Sequence, residues 1–132
     1  MKVGTFTCLT TAILFGVVAV PIRLAAQSVG PEIIVFDAPG AGATAGSGFG
    51  TFPNSINNAG AITGHYIDAN NVNHGFLRSP GGEKFIKFDA PGAGKTTGSG
   101  QGTFPDSISK AGAVTGRYID SNNVNHGFLR TP

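Results

Sequence analysis

Two nearly identical stretches, DANNVNHGF at Asp68 to Phe76 and DSNNVNHGF at Asp120 to Phe128, concentrate the groups of this chain that could do chemistry. Each holds a carboxylate, amides and an imidazole, and a tyrosine, Tyr66 or Tyr118, stands two positions before the aspartate. An acid followed by amides is the start of an oxygen-ligand calcium loop, which wants donors at alternate positions and a distal glutamate. Here the fifth position is Val72 or Val124, and no glutamate follows. The pattern therefore reads as an Asx-rich hairpin turn. His74 and His126 are candidates for metal ligation or proton transfer, but the remaining histidine, His65, becomes Arg117 in the second stretch. A repeated site should not lose its ligand, so packing, or a hydrogen bond to a turn carbonyl, is expected for the imidazoles. No metal and no cofactor is expected.

The other chemistry-bearing residues are weaker. Asp37 and Asp89 each precede Ala-Pro-Gly, where an aspartate side chain can bond the backbone of the following turn. A carboxylate pair for glycoside hydrolysis must stand about 5–10 Å apart across a cleft, which sequence cannot place. Gly94-Lys95-Thr96 lacks the earlier glycine and following helix of a phosphate loop. Ser47 and Ser99 lie in Gly-Ser-Gly stretches without the strand-to-helix context of a nucleophile elbow. No catalytic residue is assigned, and the chain is read as no enzyme.

These residues recur because the chain repeats. Phe36 to Pro80 returns as Phe88 to Pro132 at an offset of 52, and only ten of the 45 paired positions differ. Within a repeat, runs rich in β-branched and aromatic residues are punctuated by Gly, Pro and Asn clusters, the signature of strands and tight turns. Four strands are predicted: Thr51 to Ile56, Ala61 to Asp68, Val72 to Arg78 and Glu83 to Ala90. Gly60 suits the left-handed position of the first hairpin, and Asn70 and Asn71 tolerate it in the second. Ser79-Pro80-Gly81-Gly82 reads as a type II turn setting Arg78 opposite Glu83 and Phe76 opposite Phe85. Leu77, Ile86 and Phe88 then share one face, and His74, Phe76, Arg78, Phe85 and Lys87 the other. The glycine-rich stretches Gly40 to Gly50 and Gly92 to Gly102 are expected to be flexible links.

The segment Pro31 to Gly40 matches Glu83 to Gly92, so Pro31 to Ala38 is expected to supply the fourth strand of the second repeat. The fold expected is all-β: two four-stranded antiparallel propeller-blade-like repeats in circularly permuted order, repeat one over 36–87 and repeat two over 88–132 completed by the strand at 31–38. Two blades cannot close a ring, since propellers typically use roughly four to eight. Self-association would complete one; two packed sheets, or a remnant of a longer array, are the alternatives.

Lys2, the apolar run Phe6 to Val20 and Leu24-Ala25-Ala26 read as a signal peptide over 1–26, ahead of a β domain over 27–132. The run is shorter than the roughly 20 apolar residues of a membrane span. The only cysteine, Cys8, lies inside it, so the expected mature domain has no disulfide. Two of the nine basic residues, Lys2 and Arg23, also fall there, leaving seven against seven acids. A neutral domain with scattered basic residues excludes a nucleic-acid binder. Secretion is expected, extracellular or periplasmic, with no membrane attachment after leader cleavage.

Asn57-Asn58-Ala59-Gly60, Gly64 to Tyr66 and His74-Gly75-Phe76, followed by FDAPGA, resemble the HAF-type repeats of bacterial probable extracellular proteins. The counterparts are Ser109-Lys110-Ala111-Gly112, Gly116 to Tyr118 and His126-Gly127-Phe128. The signature's middle alanine is glycine here, and the first Asn pair is absent from the second copy. The resemblance implies export and a propeller-like β architecture, and no particular activity. The expected function is that of a secreted, non-enzymatic module with a structural or interaction role. One alternative is a lectin-like module binding glycan through Tyr66, Asn73, His74, Phe76, Tyr118, Asn125, His126 and Phe128; the other is a polysaccharide hydrolase or lyase fragment.

Overall fold

The computed structural model describes residues 30–132; the signal peptide expected at 1–26 lies outside the described residues. The described chain is all-β. Its strands are β1 (Gly50–Ile56), β2 (Ile62–Ile67), β3 (Asn73–Arg78), β4 (Phe85–Phe88), β5 (Gly102–Ile108), β6 (Val114–Ile119) and β7 (Asn125–Arg130). They form one open sheet in the order β1-β2-β3-β5-β6-β7, with β4 paired to β3 off this path. Among the described residues no helix is long and apolar enough to cross a membrane.

The repeat reads out as the same local structure twice. The β1–β2 ladder runs Gly50↔Ile67 to Ile56↔Ile62 with a bulge between Pro53 and Ser55, and β5–β6 runs Gly102↔Ile119 to Ile108↔Val114 with its bulge between Pro105 and Ser107. Proline lacks a ladder donor, so each strand bends where its proline sits. Each bulge drives backbone against the facing strand: a Cβ on Gly64 would overlap the Phe52 carbonyl, and one on Gly116 the Phe104 carbonyl. Only glycine fits there. The hairpin turns are as read, with Gly60, Gly112, Asn71 and Asn123 at positive φ.

Three expectations are corrected. The β3–β4 link closes over six residues rather than four: Pro80–Gly82 forms a 3-10 turn, Gly81 and Gly82 take positive φ, and the Ser79 N–H donates to the Lys84 carbonyl. Arg78 therefore faces Phe85, and Phe76 faces Lys87. The slip is two residues, so every side chain keeps its expected face. The glycine-rich links are not free tethers, because Gly42 N–H donates to the Ile67 carbonyl and Gly94 N–H to that of Ile119. Each link packs back on the end of its own repeat's second strand.

The third correction concerns Pro31 to Ala38, which forms no strand and leaves β7 without a partner on its outer edge among the described residues. The end of this segment is held by the first repeat. Phe36 packs at 6.3 Å from Phe76 and 6.1 Å from Phe85, under the Arg78 guanidinium at 4.7 Å, and Ala38 N–H donates to Thr51 Oγ1. The core lies here: buried Ala38, Tyr66 and Phe76, with Phe36, Ala41, Ile62 and Phe85 around them. The two repeats meet where β5 packs behind the first repeat. β3 touches β5 through one parallel pair, Asn73↔Gly102.

Candidate functional site

The densest cluster of ionisable groups lies at the junction of the two repeats. The second hairpin turn is an Asx turn, in which Asp68 Oδ1 accepts from the N–H groups of Asn70 and Val72, both at 2.9 Å. Oδ2 accepts from Asn70 Nδ2 at 3.4 Å and faces β3, where His74 Nε2 lies 3.5 Å away. His74 Nδ1 points to Asp89, at 2.9 Å from Oδ1 and 3.2 Å from Oδ2. One imidazole thus stands between a carboxylate of its own repeat and one from the start of the next. Tyr66 stacks on the His74 ring at 5.1 Å. Lys95 Nζ lies 3.7 Å from Asp89 on the solvent side.

Electrostatics follow from this packing. Partial burial pushes the Asp68 carboxyl up, but the Val72 and Asn70 N–H groups and His74 hold it below its ordinary value. Burial pushes the Tyr66 phenol up, and the negative charges of Asp89 and Asp68 push it further. The phenol therefore stays protonated beside the two carboxylates.

The second repeat carries half of this arrangement. Asp120 Oδ1 accepts from Asn122 and Val124, His126 Nε2 lies 3.2 Å from Asp120 Oδ2, and Tyr118 stacks on His126 at 4.8 Å. The Val124 N–H is the largest influence lowering the Asp120 carboxyl, with His126 and Asn122 adding to it against desolvation. Among the described residues His126 has no second carboxylate. The counterpart of Asp89 is Asp37, which lies in the first repeat and meets only Thr51 Oγ1, at 3.4 Å. Neither Asp37 nor Asp89 bonds the turn after it; those turns close through backbone, Ala41 N–H to the Ala38 carbonyl and Ala93 N–H to that of Ala90.

The eight residues named as ligand candidates thus fall into two groups of four. Tyr66, Asn73 and Phe76 are buried, and His74 is half-buried. Asn73 is spent on the junction, its Nδ2 donating to the carbonyls of Gly100 and Gln101. Phe76 is core. Their counterparts are more open: Asn125 is exposed, and Tyr118, His126 and Phe128 are half-buried. Asp89 was not among the candidates, yet it completes the cluster. The sequence signal was an aspartate repeating in step with the histidine. Among the described residues no group of three or more His, Cys, Asp or Glu is arranged to hold a metal ion.

A second junction feature joins β1 and β2 to β5 and β6. His65 stacks on Phe52 at 5.0 Å and lies 5.2 Å from Phe104, which carries the Arg117 guanidinium at 4.7 Å. Burial lowers the His65 pKa and the Arg117 charge lowers it further, with Asp106 opposing. A neutral imidazole thus lies between two phenyl rings. Asn54 Nδ2 and Asn57 Nδ2 complete the seam by donating to the carbonyls of Pro105 and Ser109.

No family model matches the chain, and neither a curated protein nor a solved structure matches it.

Proposed function

We propose that the chain is a secreted, non-enzymatic module of propeller-blade-like repeats, akin to the HAF-type repeats it resembles, whose role is structural or one of interaction. The supporting observation is the use made of its ionisable cluster. Asp68 Oδ1 accepts two N–H groups of its own turn, and both ring nitrogens of His74 face carboxylates. A group that transfers protons to a substrate needs a free lone pair or proton aimed into a cleft. Here the imidazole instead ties one repeat to the next.

The test is His74→Ala, read by thermal unfolding and by turnover on a broad polysaccharide panel. Residues that serve chemistry are often replaced without loss of stability, whereas residues that serve the scaffold are not. The expected result is a melting temperature lower by several degrees, with no polysaccharide turned over by either protein. An unchanged or higher melting temperature, with a wild-type turnover lost in the variant, would overturn the reading.

The second reading, glycan binding, draws on the more open second repeat, where Tyr118 stacks on His126 beside exposed Asn125. Glycan-array binding by the wild type that disappears in Tyr118→Ala would favour it.

A further inference from the structure

β3 and β7 have the same sequence, NHGFLR, and the same antiparallel pairing, to β2 and β6, yet among the described residues only β3 has its outer edge covered. β4 lies along its outer edge, and the start of β5 caps its first residue. The difference shows in burial: Val72 is 4 % exposed and Val124 49 %, while Asn73 and Gly75 are buried and Asn125 and Gly127 exposed. Leu129 is 69 % exposed. Where Phe36, Phe76 and Phe85 close a three-ring cluster in the first repeat, the second has only Phe88 and Phe128, 6.1 Å apart. The third position is a groove of about 360 Å³ lined by Phe88, Phe128, Leu129 and Arg130.

The chain also carries the surfaces that match these, at its other end. Shifted by the repeat, β4 (Phe85–Phe88) corresponds to Ile33–Phe36, a segment outside any strand in which Ile33 is 91 %, Ile34 65 % and Val35 85 % exposed. Gly102, whose φ of +127° lets its backbone press against the Asn73 carbonyl, corresponds to Gly50, with φ of +135° and nothing in front of it. Asp89, which meets His74, corresponds to Asp37, which is exposed. Ile108 is 7 % exposed under the first repeat, but Ile56, its counterpart in β1, is 64 % exposed.

We propose that this protein associates head to tail with a second copy of itself, Ile33–Phe36 of one chain adding as a fourth strand to β7 of the next and Asp37 completing the half-site at His126. The register follows from the internal junction: Phe36 faces Gly127, Val35 faces Phe128, Ile34 faces Leu129 and Ile33 faces Arg130, as Phe88 faces Gly75 and Phe85 faces Arg78. Gly127 fits this role. At Gly75 the Phe88 ring and carbonyl fill the space a Cβ would take, whereas before Gly127 the nearest atom is the Gly116 carbonyl oxygen at 4.0 Å. Phe36 can serve both chains, because Phe88 already does the equivalent, pairing with β3 while its ring meets Phe128. The contact is heterologous, so it propagates until a ring closes or a filament grows.

The joint between copies is weaker than the internal junction. Asp106 stands where Asn54 donates to the Pro105 carbonyl, and a carboxylate cannot donate. Ala43 stands where Lys95 meets Asp89. Assembly therefore depends on protein concentration.

The experiment is light scattering on the purified chain at rising concentration, with Ile34→Pro as the blocking variant. Ile34 is the counterpart of Ile86, which stands in a hydrogen-bonded pair with Leu77, so a proline there removes a ladder donor at an exposed position of the first repeat's leading segment. The expected result is a mass rising in whole multiples of one chain for the wild type and staying at one chain for Ile34→Pro, with the same melting curve for both when dilute. In a Cys8→Ser background, Ile34→Cys mixed with Leu129→Cys should cross-link between chains on oxidation, and Ile34→Cys mixed with Phe128→Cys should not. A wild-type mass of one chain throughout overturns the proposal, as does an intrachain disulfide in the Ile34→Cys/Leu129→Cys double variant. The reading above can fail independently, since the His74→Ala melt is measured on single chains.

Discussion

His74 and Asp89 join the two repeats across a 2.9 Å contact between Nδ1 and Oδ1, formed between the third strand of one repeat and the leading segment of the next. Both side chains remain about one-fifth to one-quarter exposed, at 20 % and 25 %. Solvent screening therefore limits what the pair is worth.

A double-mutant cycle on His74→Ala and Asp89→Asn, read by denaturant unfolding, should give a favourable coupling of about 0.5–1 kcal/mol. Asp37→Asn with His126→Ala in the single chain should give none, because Asp37 lies beside Thr51 of β1 and His126 on β7. Coupling of equal size in both cycles would show that the contact is not specific to the junction.

Asn73 and Asn125 form a second matched pair. Replacing Asn73 by Ala removes the donor to the Gly100 and Gln101 carbonyls at a buried position, and a loss of about 1–3 kcal/mol is expected. Asn125→Ala in a dilute sample should cost less than about 0.5 kcal/mol, since its side chain is exposed. Equal losses would mean that the two strands sit in equivalent surroundings in solution.

Gly64→Ala and Gly116→Ala place a methyl against the Phe52 and Phe104 carbonyls, where backbone rather than a flexible side chain must give. Each should destabilise by about 1–3 kcal/mol, by thermal or denaturant unfolding. Gly46→Ala, at a position with open space but positive φ, is the control for backbone strain alone.

The pH dependence follows from His65. Its folded pKa is below its ordinary 6.5, chiefly through burial, so the unfolded chain binds more protons as the pH falls through 6.5. The stability given by the neutral ring is thus present above that value and lost below it. The wild type should melt lower at about pH 5.5 than at about pH 7.5, and His65→Phe should flatten that step. Asp68 and Asp120 are held below their ordinary 3.8, so their contribution is lost only in more acidic solution. A step unchanged in His65→Phe would assign it to another group.

What the sequence by itself determined was everything that depends on a residue and its near neighbours. The period of 52, the hairpin turns at Gly60 and Asn71 and the faces of the third and fourth strands all lie in short-range pattern, and nearly identical strings folded into matching strands. What only the tertiary structure decided was where those strands lie relative to one another. The link after Arg78 slipped the register by two because the chain turns on past the turn at 79–82, Gly82 taking positive φ and Glu83 a helical conformation before Lys84 pairs, which no composition rule distinguishes. His74 and His126 have the same neighbours in sequence, yet one meets two carboxylates and the other one. Burial and charge pairing are properties of the surface a residue is placed against, and that surface is supplied by distant parts of the chain.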